Sequence, residues 1–306
     1  TDYFQRLQNV QSGRSDRYLL IGPWSHAQTF REYLHDLPNG EREMPANGAM
    51  DLTAHRLAFF DRYLKGDELS IVQKNPGQVY IKRANRWLGF PSFPVPNTKV
   101  QPLYLSSGGD ARSFPGDGAL AWSKPEDEPV DRYHYDPNLP TPFEPHFLGD
   151  RRELEIRSDV LVYTSAPMDK PLIILGEMTL VLHAASDCPD TDWFATITEV
   201  FPDGRSVAFH GIWSALRARY RAGLDKEVLL SPNKPYEFRI PLGPCGHQIA
   251  TGHRLRLSLC SSAFPAYDVN TNTGDAAATD TEARVAQQTI FHDSVRPSHL
   301  LLPTIE

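Results

Sequence analysis

The sequence predicts a short α/β segment followed by a large all-β sandwich. Three patterns carry that prediction: an apolar strand near the start, one amphipathic helix, and then repeated short stretches that alternate with period two. Arg17-Tyr18-Leu19-Leu20-Ile21-Gly22 reads as the strand. It lacks polar alternation, as expected when a parallel sheet is covered on both faces. Ahead of it, Tyr3 to Val10 shows a short helical pattern, with Phe4, Leu7 and Val10 or Gln11 on one side, broken by Gly13 and Ser15.

The best helix runs from Met50 to Lys65. Asp51 stands where an N-cap is wanted. Leu57, Phe60 and Leu64 recur at i, i+3 and i+7, Phe59 and Tyr63 widen the stripe, and Gly66 supplies a left-handed C-terminal cap. The aromatic face of this helix is expected to pack onto the sheet.

From Gln78 onward the character changes to short strands and turn residues. Val79-Tyr80-Ile81 and Gln101 to Leu105 are strand candidates, and residues 108–158 read as long polar, proline-rich connections. Met178, Leu180, Leu182 and Ala184 then share one side of a strand, as do Trp193, Ala195 and Ile197. Pro202-Asp203-Gly204 should return the chain as a hairpin. Leu255, Leu257 and Leu259 alternate with Arg254, Arg256 and Ser258. Such strands predict two packed antiparallel sheets, a sandwich or jelly roll. The expected division is 1–77 for the α/β segment and 78–306 for the sandwich.

Bulk properties narrow the class. The 306 residues carry a net charge of -7, which argues against a nucleic-acid partner. No apolar run approaches the ~18 residues of a membrane span. Three cysteines, Cys188, Cys245 and Cys260, make no disulfide framework and read as buried thiols. The chain opens Thr1-Asp2-Tyr3-Phe4 without a signal-peptide pattern, which reads as a chain missing its natural start.

The sharpest chemical feature is Leu20-Ile21-Gly22-Pro23-Trp24-Ser25-His26. It sets a histidine just past the C-terminal end of the strand, the edge at which open α/β sheets bind ligands. In α/β-hydrolases the triad histidine comes after the last strand. From these residues alone, a catalytic histidine and an ordinary loop histidine both stand.

Gly22-Pro23-Trp24-Ser25-His26 resembles the histidine motif of the cocaine esterase and X-Pro dipeptidyl-peptidase (CocE/NonD) family of serine hydrolases. The helix ending Leu57-Ala58-Phe59-Phe60-Asp61-Arg62-Tyr63-Leu64-Lys65-Gly66 is similar to the segment that closes that family's catalytic domain. Val162-Tyr163-Thr164-Ser165-Ala166-Pro167, Asp190-Thr191-Asp192-Trp193, Phe201-Pro202-Asp203-Gly204, Leu216-Arg217-Ala218-Arg219-Tyr220, Phe264-Pro265-Ala266-Tyr267-Asp268, and His292-Asp293 with Pro297-Ser298-His299-Leu300 resemble its C-terminal part. The resemblance implies the end of an α/β-hydrolase domain followed by a galactose-binding-like jelly roll.

It implies further that His26 is the triad histidine, acting on a small acyl ester, an acyl amide or a short peptide, with no metal or organic cofactor. The serine would come from an upstream catalytic segment, because no Gly-x-Ser-x-x-Gly elbow exists here. Ser12 and Ser107 are not credible nucleophiles. The family's acid precedes the histidine by roughly one helix and one strand. That favours a residue just ahead of Thr1, with Asp2 as the candidate inside the chain. Asp2 also fits a helix N-cap. A homo-oligomer stays open.

Other clusters read as structural. Asp268 to Asp275 alternates oxygen ligands, but its glycine is one place late for an EF-hand loop. His292 and His299 lack a carboxylate or cysteine at metal spacing. Asp190 and Asp192 suit turn and cap duty. Trp87, Trp122, Trp193 and Trp213 suit a core better than a sugar site. The competing class is a non-catalytic binding module, although such a module has no need of the strand, histidine motif and helix before its sandwich. A fluorophosphonate probe is expected to leave this chain unlabelled, and the chain alone to show no turnover; labelling would reveal an overlooked nucleophile.

Overall fold

A computed structural model describes residues 1–9, 17–24, 48, 50–66, 76–143, 149–210, 214–275 and 280–305. Their strands form two hydrogen-bonded sheets, each with its own apolar cluster. The smaller sheet has the order β1 (Leu19–Ile21), β2 (Gly77–Ile81), β3 (Arg86–Phe90). β1 pairs parallel with β2, Leu19 opposite Gly77 and Ile21 opposite Val79. β3 returns antiparallel, with Tyr80 opposite Trp87. Pairing in this sheet therefore joins strands from both sides of residues 67–76. Its cluster holds Val79, Ile81, Phe90, Phe93 and Val95, together with Phe4 from helix α1 (Asp2–Asn9).

The expectation that β1 is covered on both faces is not met. All three of its residues are half-buried, and among the described residues β2 is its one partner.

Helix α2 (Leu52–Phe60) is capped as its sequence dictates. Asp51 accepts the Ala54 N–H at 2.8 Å. A π-helical turn, Asp61–Lys65, extends the helix to Gly66 at φ 76°, a left-handed cap that glycine adopts without strain. The aromatic face, however, does not pack as expected. No residue of α2 or the π turn is buried, and Leu57, Phe60 and Leu64 are 58, 53 and 79% exposed. Phe59 meets Tyr18 edge-on at 6.5 Å and Tyr63 at 4.7 Å. One three-residue strand offers too little surface to bury a stripe of five large side chains.

The larger sheet is a continuous ladder of twelve strands. It comprises β4 (Lys99–Ser106), β5 (Ala119–Ala121), β6 (Asp131–Tyr135), β7 (Leu161–Ser165), β8 (Leu172–Ser186), β9 (Asp192–Val200), β10 (Ser206–His210), β11 (Ala215–Arg217), β12 (Tyr236–Ile249), β13 (Arg254–Cys260), β14 (Ala286–Phe291) and β15 (His299–Ile305). β9 is flanked by β10 and β13, and β8 by β14 and β15; β11 adds to β9 and β12 to β8. The two antiparallel sheets expected from the sequence are thus one ladder, in which β5 pairs parallel with β7, and its two ends face each other across one core as the layers of a sandwich. Trp193 of β9 packs on Phe238 of β12, ring centres 5.5 Å apart, among Leu103, Leu182, Ile197, Leu257 and Leu300. The inward residues read from the sequence, Met178 to Ala184 in steps of two, are all buried.

The β region departs from its expected pattern in two places. Residues 108–158 are more than connections: they contain β5, β6 and a short helix, α3 (Arg152–Glu155), and they bury Leu120, Tyr133, Tyr135 and Leu154. Arg256 and Ser258 are buried as well as the leucines between them. The Arg256 guanidinium donates to Glu155 at 2.5 Å and to the Thr164 hydroxyl at 2.9 Å, which satisfies a cation that alternation alone would turn to water.

Leu182→Ala should destabilise the chain by about 3 kcal/mol through loss of burial and a residual cavity. Leu64→Ala, on the uncovered face of α2, should change it by less than about 0.5 kcal/mol. Urea denaturation of the two variants checks the contrast.

Candidate active site

The candidate site starts at the C-terminal end of β1. Ile21 ends the strand, and Gly22, Pro23 and Trp24 carry the chain away from it. Ser25 and His26 lie outside the described residues. Trp24 packs on Trp87 with ring centres 5.8 Å apart, and its indole N–H donates to the Gly48 carbonyl at 3.0 Å. Trp87 in turn meets Tyr80 edge-on at 5.3 Å. The Trp24 ring folds back over Gly22, where a β-carbon would lie 2.4 Å from ring atom Cζ3. A side chain at this position would have to displace the Trp24 ring.

Asp2 is the first residue of α1; its side chain is not among those described. Thr1, not Asp2, holds the N-cap place, because its carbonyl accepts the Gln5 N–H at 2.9 Å. The Asp2 backbone already lies inside the helix. α1 docks through Phe4 in the small core and through Gln8, which accepts the Phe93 N–H at 3.2 Å.

A cavity of about 130 Å³ lies between the small sheet and the sandwich, lined by Ile21, Gly22, Tyr80, Lys82, Phe209 and His247 among others. Behind it, Glu199 is 1% exposed and holds three basic groups. Arg83 donates to it at 3.1 Å, His247 Nε2 at 3.0 Å, and His253 Nδ1 lies 2.7 Å away. Burial pushes His247 down to about 4, so its ring is neutral near pH 7 and its Nε2–H faces the carboxylate. Burial pulls Glu199 upward, but these partners outweigh it and hold the carboxyl below its usual range. Arg83 belongs to the β2–β3 turn, Glu199 to β9 and His247 to β12, so one charge ties the small sheet to the sandwich.

A second cluster mimics catalytic connectivity. Ser107 Oγ lies 3.1 Å from His292 Nε2, and His292 Nδ1 lies 3.0 Å from Glu128. The charge pattern excludes a triad. His292 Nε2 also meets Asp131 at 2.9 Å, and Ser107 and Tyr163 both donate to that carboxylate at 2.8 Å. Burial alone would push His292 down, but Asp131 and Glu128 raise it above the usual histidine range. With a carboxylate facing each ring nitrogen and the Ser107 hydroxyl donating to Asp131, the imidazole turns no free lone pair toward the serine proton. The cysteines are no better as nucleophiles. Burial pushes Cys188 and Cys245 to about 12 and Cys260 to about 11.

Asp190 and Asp192 do more than the turn and cap duty expected of them. Arg219 donates to Asp190 at 2.8 Å, Arg217 grips Asp192 at 2.9 and 3.0 Å, and the Asn270 amide donates to both carboxylates. Three sequence motifs thus converge on one buried network. Their separation along the chain, 25 residues for Arg217 and 29 for Arg219, hides the pairing from local spacing. In the Asp268–Asp275 loop, Thr271 and Thr273 donate to Asp280, and the Asn272 amide donates to the Arg284 carbonyl. Trp193 is core, Trp122 is half-exposed, and Trp213 lies outside the described residues.

These motifs lead directly to known proteins. Residues 65–301 match the X-Pro dipeptidyl-peptidase C-terminal non-catalytic domain. The chain belongs to the cocaine esterase/X-Pro dipeptidyl-peptidase family and corresponds to its C-terminal portion. It is 31% identical over 307 residues to a cocaine esterase from Rhodococcus sp. (strain MB1 Bresler), covering 95% of this chain and 52% of that enzyme. Among solved structures, it superposes on an aminopeptidase from a marine sediment Thaumarchaeota archaeon with a TM-score of 0.82 and 26% identity, covering 95% of this chain and 49% of that one. An α-amino acid ester hydrolase gives a TM-score of 0.78 at 25% identity, with 94% and 50% covered. The chain spans about half the length of these relatives.

His292→Gln should cost about 3 kcal/mol, because it leaves the buried Asp131 carboxylate without its cation. The folded pKa of His292 is raised, so its stabilisation is present below the unfolded value of about 6.5 and is lost as pH rises through the folded value. The stability gap between wild type and variant should therefore narrow from pH 6 to pH 9 in urea titrations.

Proposed function

We propose that this family member serves as the C-terminal half of a serine hydrolase that cleaves acyl ester or amide bonds through a Ser-His-Asp triad. In this reading residues 1–77 complete an α/β-hydrolase domain and residues 78–306 form its jelly roll. The observation that carries it is the Gly22-Pro23-Trp24-Ser25-His26 run leaving the C-terminal end of β1, a strand in parallel pairing. That is the edge where such sheets place their chemistry. The uncovered aromatic face of α2 supports the same reading, since a larger sheet would bury it.

His26 takes the proton from the serine hydroxyl as the oxygen attacks the acyl carbon, then gives it to the leaving alkoxide or amine. Water repeats the cycle on the acyl-enzyme and returns free serine. The serine is supplied by an upstream segment. The acid that orients His26 lies just ahead of Thr1, with Asp2 the candidate within the chain. Small acyl esters and amides are the preferred substrates, as the names of the esterase relatives suggest. Xaa-Pro dipeptide release is the second activity, suggested by the family model.

A non-catalytic binding module is the alternative from another class. One observation favours it: the matched family domain is described as non-catalytic, and its span of 65–301 excludes His26.

The test supplies the upstream catalytic segment, fused or co-expressed, and monitors fluorophosphonate labelling and hydrolysis of a small ester. Both should appear, and His26→Ala should lower kcat by at least ~10³-fold. Full activity in His26→Ala would sink the proposal. Asp2→Asn should leave kcat within about threefold, whereas a drop near ~10⁴-fold would make Asp2 the acid.

A further inference from the structure

We propose that Trp87, on β3, is a positioning residue for the segment that carries His26, so that the part of the chain matched as a non-catalytic domain sets the geometry of the catalytic step. The inference rests on the role of His26 proposed above and adds a residue to it.

Three contacts converge on Trp24, two residues before His26 in sequence. Its ring packs on Trp87 with centres 5.8 Å apart and an interplanar angle of 45°. Its indole N–H donates to the Gly48 carbonyl at 3.0 Å, which brings together positions twenty-four residues apart. Its ring also covers Gly22 so closely that a β-carbon there would displace it. Trp24 is thereby held from the strand it leaves, from the chain beyond, and from β3.

The β3 contact is the one that reaches outside the segment. Trp87 stands opposite Tyr80 in the β2–β3 ladder and meets that ring edge-on. The three aromatic rings form a row running from β2 through β3 to Trp24. β2 and β3 are in turn fixed to the sandwich: Lys82 and Gly246 share a backbone hydrogen bond of 3.0 Å, and Arg83 is paired with Glu199. The row thus passes the rigidity of the sandwich to the residues just before His26.

Trp24 acts as an anchor for the catalytic group. Two residues of chain reach at most roughly 7 Å, so covalent geometry ties the histidine to wherever the chain is held at Trp24. A misplacement of ~1 Å at a reacting group costs on the order of 10²-fold in rate. A general base must also lie within hydrogen-bond reach of its proton. Losing the Trp87 surface should therefore slow proton transfer while leaving substrate contacts made elsewhere in place.

The experiment uses the protein with its upstream catalytic segment and counts active sites by fluorophosphonate titration, so that misfolded molecules do not enter the rate. Trp87→Leu should lower kcat per active site by roughly 10- to 100-fold, with KM within about twofold. Trp87→Phe, which keeps an aromatic surface, should recover kcat to within about threefold of wild type. A structural role alone would reduce the number of active sites and the melting temperature but not the rate per site. If Trp87→Leu does not fold, Trp24→Phe, which removes the donor to Gly48 and trims the ring that packs on Trp87, should show the same kcat loss at smaller size. Unchanged kcat per site in Trp87→Leu, or in Trp24→Phe where Trp87→Leu does not fold, overturns the proposal. Unchanged kcat in His26→Ala instead overturns the assignment of His26, and the two failures are thus separable.

Discussion

Three backbone pairs, Leu19 to Ile21 on Gly77 to Val79, decide how the first part of the chain meets the rest. They are parallel pairs, which are slightly weaker per residue than antiparallel ones, and β1 is only half-buried. The pairing holds because β2 is itself anchored. β3 covers its other edge, Phe4 and Phe93 close its apolar face, and the turn after it is pinned by Arg83 to Glu199. The proposed role of His26 depends on this chain of attachments.

The same economy of charge recurs through the sandwich. Glu199, Asp190, Asp192, Asp131 and Glu155 are each nearly inaccessible, and each meets a basic side chain from a different element. Such pairs contribute little net stability against an apolar core of the same shape, since desolvation offsets most of the attraction. They are strongly directional, however. In a ladder of twelve strands a slip by one residue turns every side chain over. Asp192 in register with Arg217, or Glu155 beneath Arg256, resists that slip in a way that leucines cannot.

The range of each interaction decides how much of the molecule is readable from its sequence. Period two locates β8, β9 and β13, because alternation is local and each strand has a face on the core. The caps Asp51 and Gly66 are legible for the same reason. β5 and β6 are hidden in a polar, proline-rich stretch, since their buried residues are a few leucines and tyrosines with charged neighbours. The ion networks are invisible because their members lie tens of residues apart. The family resemblance marks Asp190, Arg219 and Phe264-Pro265-Ala266-Tyr267-Asp268 as motifs without saying that the first two touch. At the candidate site, the motif points to His26 and the β1 edge but not to Trp87, whose partner Trp24 sits across a parallel pair that no local pattern announces. Asp2 reads as an N-cap where Thr1 fills that place, a shift of one residue that sequence seldom resolves.

The sharing of β2 between the two regions has a practical meaning for dissection. A polypeptide beginning at residue 65, where the match to the domain model begins, would contain β2 and β3 but not β1. β2 would then present a row of unpaired backbone groups alongside Val79, Tyr80 and Ile81, three residues that the intact chain keeps under cover. An unprotected apolar edge of that kind is a template for strand addition between molecules. The natural unit for handling the sandwich in isolation is therefore longer than its family boundary, because β1 is the strand that covers this edge of β2.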